Sequence, residues 1–63
     1  MTPEAFTRWL AEMKAAGLAK SDADCARALG FAPKNLPRYK ERGGDDRLAL
    51  ACAAVLGGLE PYE

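Results

Sequence analysis

The chain has 63 residues, with nine basic side chains balanced by nine acidic ones and no histidine. One domain spanning 1–63 is the most such a chain can hold, and folding should remove only about 60% of its unfolded surface from water. The apolar share of 49% excludes a disordered tail, and the net charge of zero excludes a polyanion-binding arm that works by bulk charge.

Thirteen of the apolar residues are alanine, and the chain has one valine, two threonines and no isoleucine. Helix formers dominate and strand formers are scarce, so the expected fold class is all-α. Large apolar side chains are few, so close helix–helix approach has to replace bulk in the core. The pattern predicts four helices, with a fifth short turn at the C-terminus as an alternative.

The first predicted helix runs from about Pro3 to Ala16, with Thr2 as its cap, Pro3 at its first position and Glu4 at the positive end of its dipole. Phe6, Trp9, Leu10 and Met13 form one stripe at helical spacing and read as core. Gly17 supplies a left-handed stop, after which Leu18 is expected to fold back on the last turn. The second helix, about 21–29, is capped by Ser21, carries Asp22 and Asp24 in its first turn and ends at Gly30. So short a helix is marginal alone and needs its neighbours.

The third helix, about 34–42, follows the tight Phe31-Ala32 turn and stops at Gly43-Gly44. Pro37 is its odd feature, since an interior proline costs ~3 kcal/mol. Regular helix is therefore expected to start near Lys34 or Asn35, with Pro37 in about the first turn; Asn35 as the cap is an alternative. The fourth helix starts at Asp45-Asp46, presents Leu48, Ala51, Cys52, Val55 and Leu56 inward, and ends at Gly57-Gly58. Leu59 to Glu63 read as a short tail or a packing arm.

Cys25 and Cys52 read as reduced, small core residues. The N-terminus has no charged-then-apolar leader, and the longest charge-free run, Leu48 to Leu59, holds two glycines and is too short to cross a bilayer. A cytoplasmic location without membrane association is the resulting expectation. Two cysteines without histidine fall short of a metal site, so neither metal nor cofactor is expected. With one serine, no phosphate-binding glycine loop and little room for a pocket, neither an enzyme nor a small-molecule ligand is indicated.

The charge distribution is uneven. Residues 33–44 contain Lys34, Arg38, Lys40 and Arg42 against Glu41 alone, so the rest of the chain is net acidic. At i, i+4 spacing Lys34, Arg38 and Arg42 share one face, while Leu36 and Tyr39 point the other way. A helix with an outward basic ridge and an inward apolar one fits a major groove about 12 Å wide. Arg38 is the candidate for a bidentate guanine contact. Lys40, Arg42 and Arg47 are candidates for phosphate contacts, and Asn35 for either a base or a phosphate. Ser21 reads first as a cap and second as a phosphate contact.

The segment from Ser21 to Gly43 resembles the helix-turn-helix of the phage repressor and Cro-like family. The resemblance rests on Ala23, Leu29, Gly30, Phe31, Pro33, Leu36, Arg38, Tyr39 and Gly43. It implies a compact helix-turn-helix domain whose third helix reads double-stranded DNA, with Lys34 near the helix start reaching base edges. It also implies a small transcriptional regulator bound as a homodimer to a palindromic operator. Four features depart from the family pattern: Cys25 in place of leucine, the extra Ala19-Lys20, Asp22 where a phosphate-contacting polar residue is usual, and Pro37. Zero net charge, Asp22 and Pro37 support an alternative, a helix-turn-helix module that binds protein rather than DNA.

Overall fold

The computed structural model describes residues 1–59. Their order is α1 (Pro3–Ala15), α2 (Asp22–Leu29), a 3-10 turn (Pro33–Asn35), α3 (Leu36–Arg42) and α4 (Asp46–Leu56), with no strand among the described residues. The protein is a small all-α domain. Its Cα radius of gyration of 10.6 Å matches the roughly 11 Å of a close-packed chain of this length. The tail considered for a fifth element lies, from Glu60 onward, outside the described residues.

Side-chain caps set three of the helix starts. Thr2 Oγ1 accepts from the Ala5 amide at 3.1 Å, Ser21 Oγ from Asp24 at 3.3 Å and Asp45 Oδ1 from Leu48 at 3.0 Å. Each satisfies one of the amides that a helix N-terminus leaves without a partner. The accepted bond holds the Asp45 carboxyl below the usual carboxylate range, with Arg47 adding to it. At the end of α1 the Leu18 amide reaches back to the Met13 carbonyl at 3.0 Å, the backbone signature of a Schellman stop. The Leu18 side chain stays 50% exposed and is not part of the buried core. Ala19 is buried and joins the core while Lys20 stays exposed, so only the first of the two extra residues packs.

The expected third helix, about 34–42, divides in two. In α-geometry residue 37 would donate to the carbonyl of residue 33, but Pro37 has no N–H and its ring would clash there. The Leu36 amide bonds the Pro33 carbonyl instead, giving a 3-10 turn over Pro33–Asn35, and α-helix begins only at Leu36. Pro37 is thereby confined to the first turn. Asn35 occupies the cap position of α3 but its side chain makes no capping bond.

Gly43 closes α3 at φ +73 and ψ −154, a region that side chains other than glycine's scarcely enter. It is buried against the backbone of Met1, Thr2 and Pro3, where a Cβ would run into the Met1 carbonyl oxygen. The next residue locks the contact: the Gly44 amide donates to Met1 O at 3.0 Å and the Met1 ammonium to Gly44 O at 2.8 Å. The N-terminus thus clasps the link that follows α3.

The core gathers Phe6, Trp9, Leu10 and Met13 of α1 with Ala19, Cys25, Ala26, Leu36 and Cys52. Trp9 buries its one polar atom without penalty, since Nε1 donates to the Cys52 carbonyl at 2.9 Å. Both cysteines are free. Burial pushes both thiols up, Cys52 to about 11, so they behave as small apolar residues rather than nucleophiles.

Candidate nucleic-acid interface

The 3-10 turn and α3 carry the cationic segment on a firm base. Leu36 is 8% exposed, and Tyr39 is half-buried between two aromatic rings. Its ring centroid lies 5.0 Å from that of Phe31 and 5.7 Å from that of Phe6, which in turn sits 5.7 Å from Trp9. Such contacts, tilted for Tyr39 and stacked for Phe6 on Trp9, each add about 0.5–1.5 kcal/mol to burial. They connect α3 to α1 and to the turn after α2. That turn is tight because Gly30 adopts φ +85 and the Phe31 amide reaches the Ala26 carbonyl at 3.2 Å.

Lys34, Arg38 and Arg42 are exposed while Leu36 is buried. Arg38 and Arg42 lie on one face of α3. Lys34 lies in the 3-10 turn, so the three do not form the single α-helical ridge expected at i, i+4 spacing. Each residue of the 3-10 turn Pro33–Asn35 rotates the chain further than a residue in α-geometry does, so the i, i+4 register does not carry across into α3.

Ion pairing divides the cations sharply. Arg8 pairs with Glu12, Arg27 with Asp24 and Arg47 with Asp45, while Lys14 and Lys40 both pair with Asp22. Lys20, Lys34, Arg38 and Arg42 have no ion pair among the described residues. Three of these four belong to the segment 33–44. Acidic side chains therefore pair with most cations elsewhere and with Lys40, and leave Lys34, Arg38 and Arg42 without an ion pair among the described residues, even though the whole chain is neutral.

Of the residues expected to meet phosphate, Arg42 is exposed and unpaired among the described residues, whereas Lys40 and Arg47 are engaged at 2.7 Å and 3.2 Å. Ser21 uses its oxygen as the α2 cap, which leaves its O–H free to donate. Asn35, assigned to a base or a phosphate, is half-buried at the junction of the 3-10 turn and α3.

Asp22, expected to repel phosphate, has its charge largely spoken for. Lys14 Nζ of α1 lies 2.8 Å from Oδ1, and Lys40 Nζ of α3 lies 2.7 Å from Oδ2. The bond from Lys14, followed by that from Lys40, holds the Asp22 carboxyl below its ordinary range, and the same contact raises Lys14. Sequence reasoning missed Lys14 as part of this surface. The three partners sit on three helices, so no periodicity links them; only the packing of α1, α2 and α3 does.

An apolar cleft lies elsewhere, between α2 and α4, lined by Ala28, Leu29, Ala51, Ala54, Val55 and Leu59. Leu59 of this lining is 69% exposed, and Leu50, also on the stretch 48–59, is 71% exposed. Among the described residues no group of three or more Cys, Asp or Glu side chains is placed to hold a metal ion, and no helix is long and apolar enough to cross a membrane. No family model, curated protein or solved structure matches the chain.

Proposed function

We propose that the protein is a sequence-specific, double-stranded-DNA-binding transcriptional regulator of the helix-turn-helix type, binding without catalysis. The observation that carries this reading is the uncompensated cationic segment Lys34–Arg38–Arg42, facing solvent from a support anchored through Leu36 and Tyr39. Arg38, one turn before the end of α3, is assigned to a base edge, where a bidentate guanine contact discriminates by about 1–3 kcal/mol. Lys34 and Asn35 are assigned to neighbouring base edges. Arg42 and Ser21 are assigned to phosphates, together with Lys40 and Arg47, which exchange their carboxylate partners for phosphate only in the sequence-specific complex.

A short reading helix on a neutral protein secures only a few base pairs, so two copies on a palindromic site are part of the proposal. The second copy is assigned to the α2–α4 face. A two-fold axis brings the same patch of both copies together, so a self-contact is favoured where that patch carries no like charges to oppose one another. Residues 48–59 contain no charged side chain, and Leu50 and Leu59 stand exposed there.

Selection of bound sites from a random duplex library tests the reading. Enrichment of a symmetric sequence is expected, with Arg38→Ala relaxing one position in each half and Arg42→Ala weakening binding evenly across sequences. Equal losses on specific and random DNA for both variants would refute this division of roles. One observation favours a second reading, a protein-binding module: five of the nine cations are already paired within the chain. Absence of any shift with mixed-sequence duplex at micromolar protein and low salt supports that alternative.

A further inference from the structure

We infer that Asp22 acts as an electrostatic brake, holding Lys14 and Lys40 away from phosphate and so restraining sequence-independent attraction to DNA; the inference rests on the nucleic-acid reading above. Its basis is one carboxylate shared by two ammonium groups, each oxygen serving one lysine at 2.8 Å and 2.7 Å. All three side chains remain partly open to water, at 42% for Lys14, 44% for Lys40 and 29% for Asp22. The pairs are therefore accessible to a competing phosphate, yet occupied in its absence.

Lys40 belongs to the same helix as Arg38 and Arg42, so Asp22 acts on the very element that carries the uncompensated charge. Position also matters. Asp22 opens α2, where the helix N-terminus favours a carboxylate, and this holds the charge in place without help from the lysines. Exposed ion pairs contribute little to folding, whereas each cation that neutralises a phosphate adds about 0.9 to the slope of log K against log salt. The arrangement thus bears more heavily on DNA attraction than on stability. A regulator with a weak sequence-independent term keeps a larger ratio between its target and competing sites.

The test compares wild type, Asp22→Asn, Lys40→Gln and Arg42→Gln on a fluorescent mixed-sequence 20-base-pair duplex by anisotropy across a sodium chloride series. Circular dichroism checks folding. Asp22→Asn is expected to steepen the salt slope by roughly one to two and to tighten binding roughly tenfold or more at low salt. Adding Lys40→Gln to Asp22→Asn should reverse about half of the steepening. In the wild-type background, Lys40→Gln should change the slope much less than Arg42→Gln, a comparison that stands even if Asp22→Asn fails to fold. If wild type binds and Asp22→Asn binds equally or more weakly, the brake is wrong while the nucleic-acid reading survives. The brake is equally wrong if Lys40→Gln matches Arg42→Gln. If neither wild type nor Asp22→Asn binds, the nucleic-acid reading falls and takes the brake with it.

Discussion

Replacing Gly43 by alanine should be among the most damaging single-methyl additions to this protein. At φ +73 and ψ −154 the residue occupies a backbone region that costs a non-glycine side chain about 1–3 kcal/mol. The new Cβ would also press on the Met1 carbonyl oxygen and crowd Thr2 and Pro3. Those are backbone atoms that cannot rotate away, so the clasp has to move and its two bonds with Gly44, at 3.0 and 2.8 Å, are lost or weakened. At about 1 kcal/mol net for each bond, the total is roughly 3–5 kcal/mol. A domain of this length has a stability of about 3–9 kcal/mol, so the variant is brought near its unfolding limit. Gly30→Ala is the control: its φ of +85 is also left-handed, but nothing lies within 4 Å of an added Cβ, so only the conformational cost of about 1–2 kcal/mol remains. Thermal melts followed by circular dichroism should place Tm of Gly43→Ala roughly 10–20 °C below that of Gly30→Ala, taking the mid-range difference of about 2.5 kcal/mol at about 4–8 °C per kcal/mol. Native-state exchange should show the Gly44 amide losing protection. Equal Tm values for the two variants would overturn the reasoning.

Burial of Cys52 predicts a loss of stability in alkali. An unfolded thiol ionises near its ordinary 9.0, whereas the folded one holds its proton to about 11, so this contribution is complete below pH 9 and disappears as pH rises to 11. Two units correspond to about 2–3 kcal/mol. Urea melts at pH 8 and pH 10.5 should show wild type losing more stability than Cys52→Ala, and parallel losses would count against it. Leu50→Lys, at a position 71% exposed, should leave the fold intact and shift sedimentation equilibrium from dimer to monomer; an unchanged association constant would remove α4 from the proposed self-contact.

Much of the fold was legible because local chemistry and packing agree in it. Thr2, Ser21 and Asp45 cap as their side chains dictate, and the Phe6–Trp9–Leu10–Met13 stripe is buried as its spacing requires. What escaped lies in contacts between residues distant in the chain. Met1 pairs with Gly44 across 43 positions, and no periodicity announces such a clasp. Ala19 rather than Leu18 turns inward because the direction of the link after Gly17, and not side-chain size, decides which residue meets the core. Pro37 could be placed in a first turn from its missing donor alone, but the 3-10 geometry before it follows from where the Pro33 carbonyl finds a substitute partner.

For the surface, counting charges is a poor guide and pairing a better one. The sequence places four cations in the segment 33–44, but Lys40 belongs electrostatically to Asp22, leaving Lys34, Arg38 and Arg42 as its uncompensated charges among the described residues. The same contact alters the meaning of Asp22, which in sequence reads as a repulsive carboxylate beside an anionic partner. In the fold its charge is offset by two ammonium groups, and a phosphate approaching α2 meets a cluster whose three members sum to one positive charge. That residual charge is attractive but weaker than two free lysines. The attraction available to any polyanion is therefore set by carboxylate placement as much as by the number of lysines and arginines, so a chain of zero net charge can still present a cationic face.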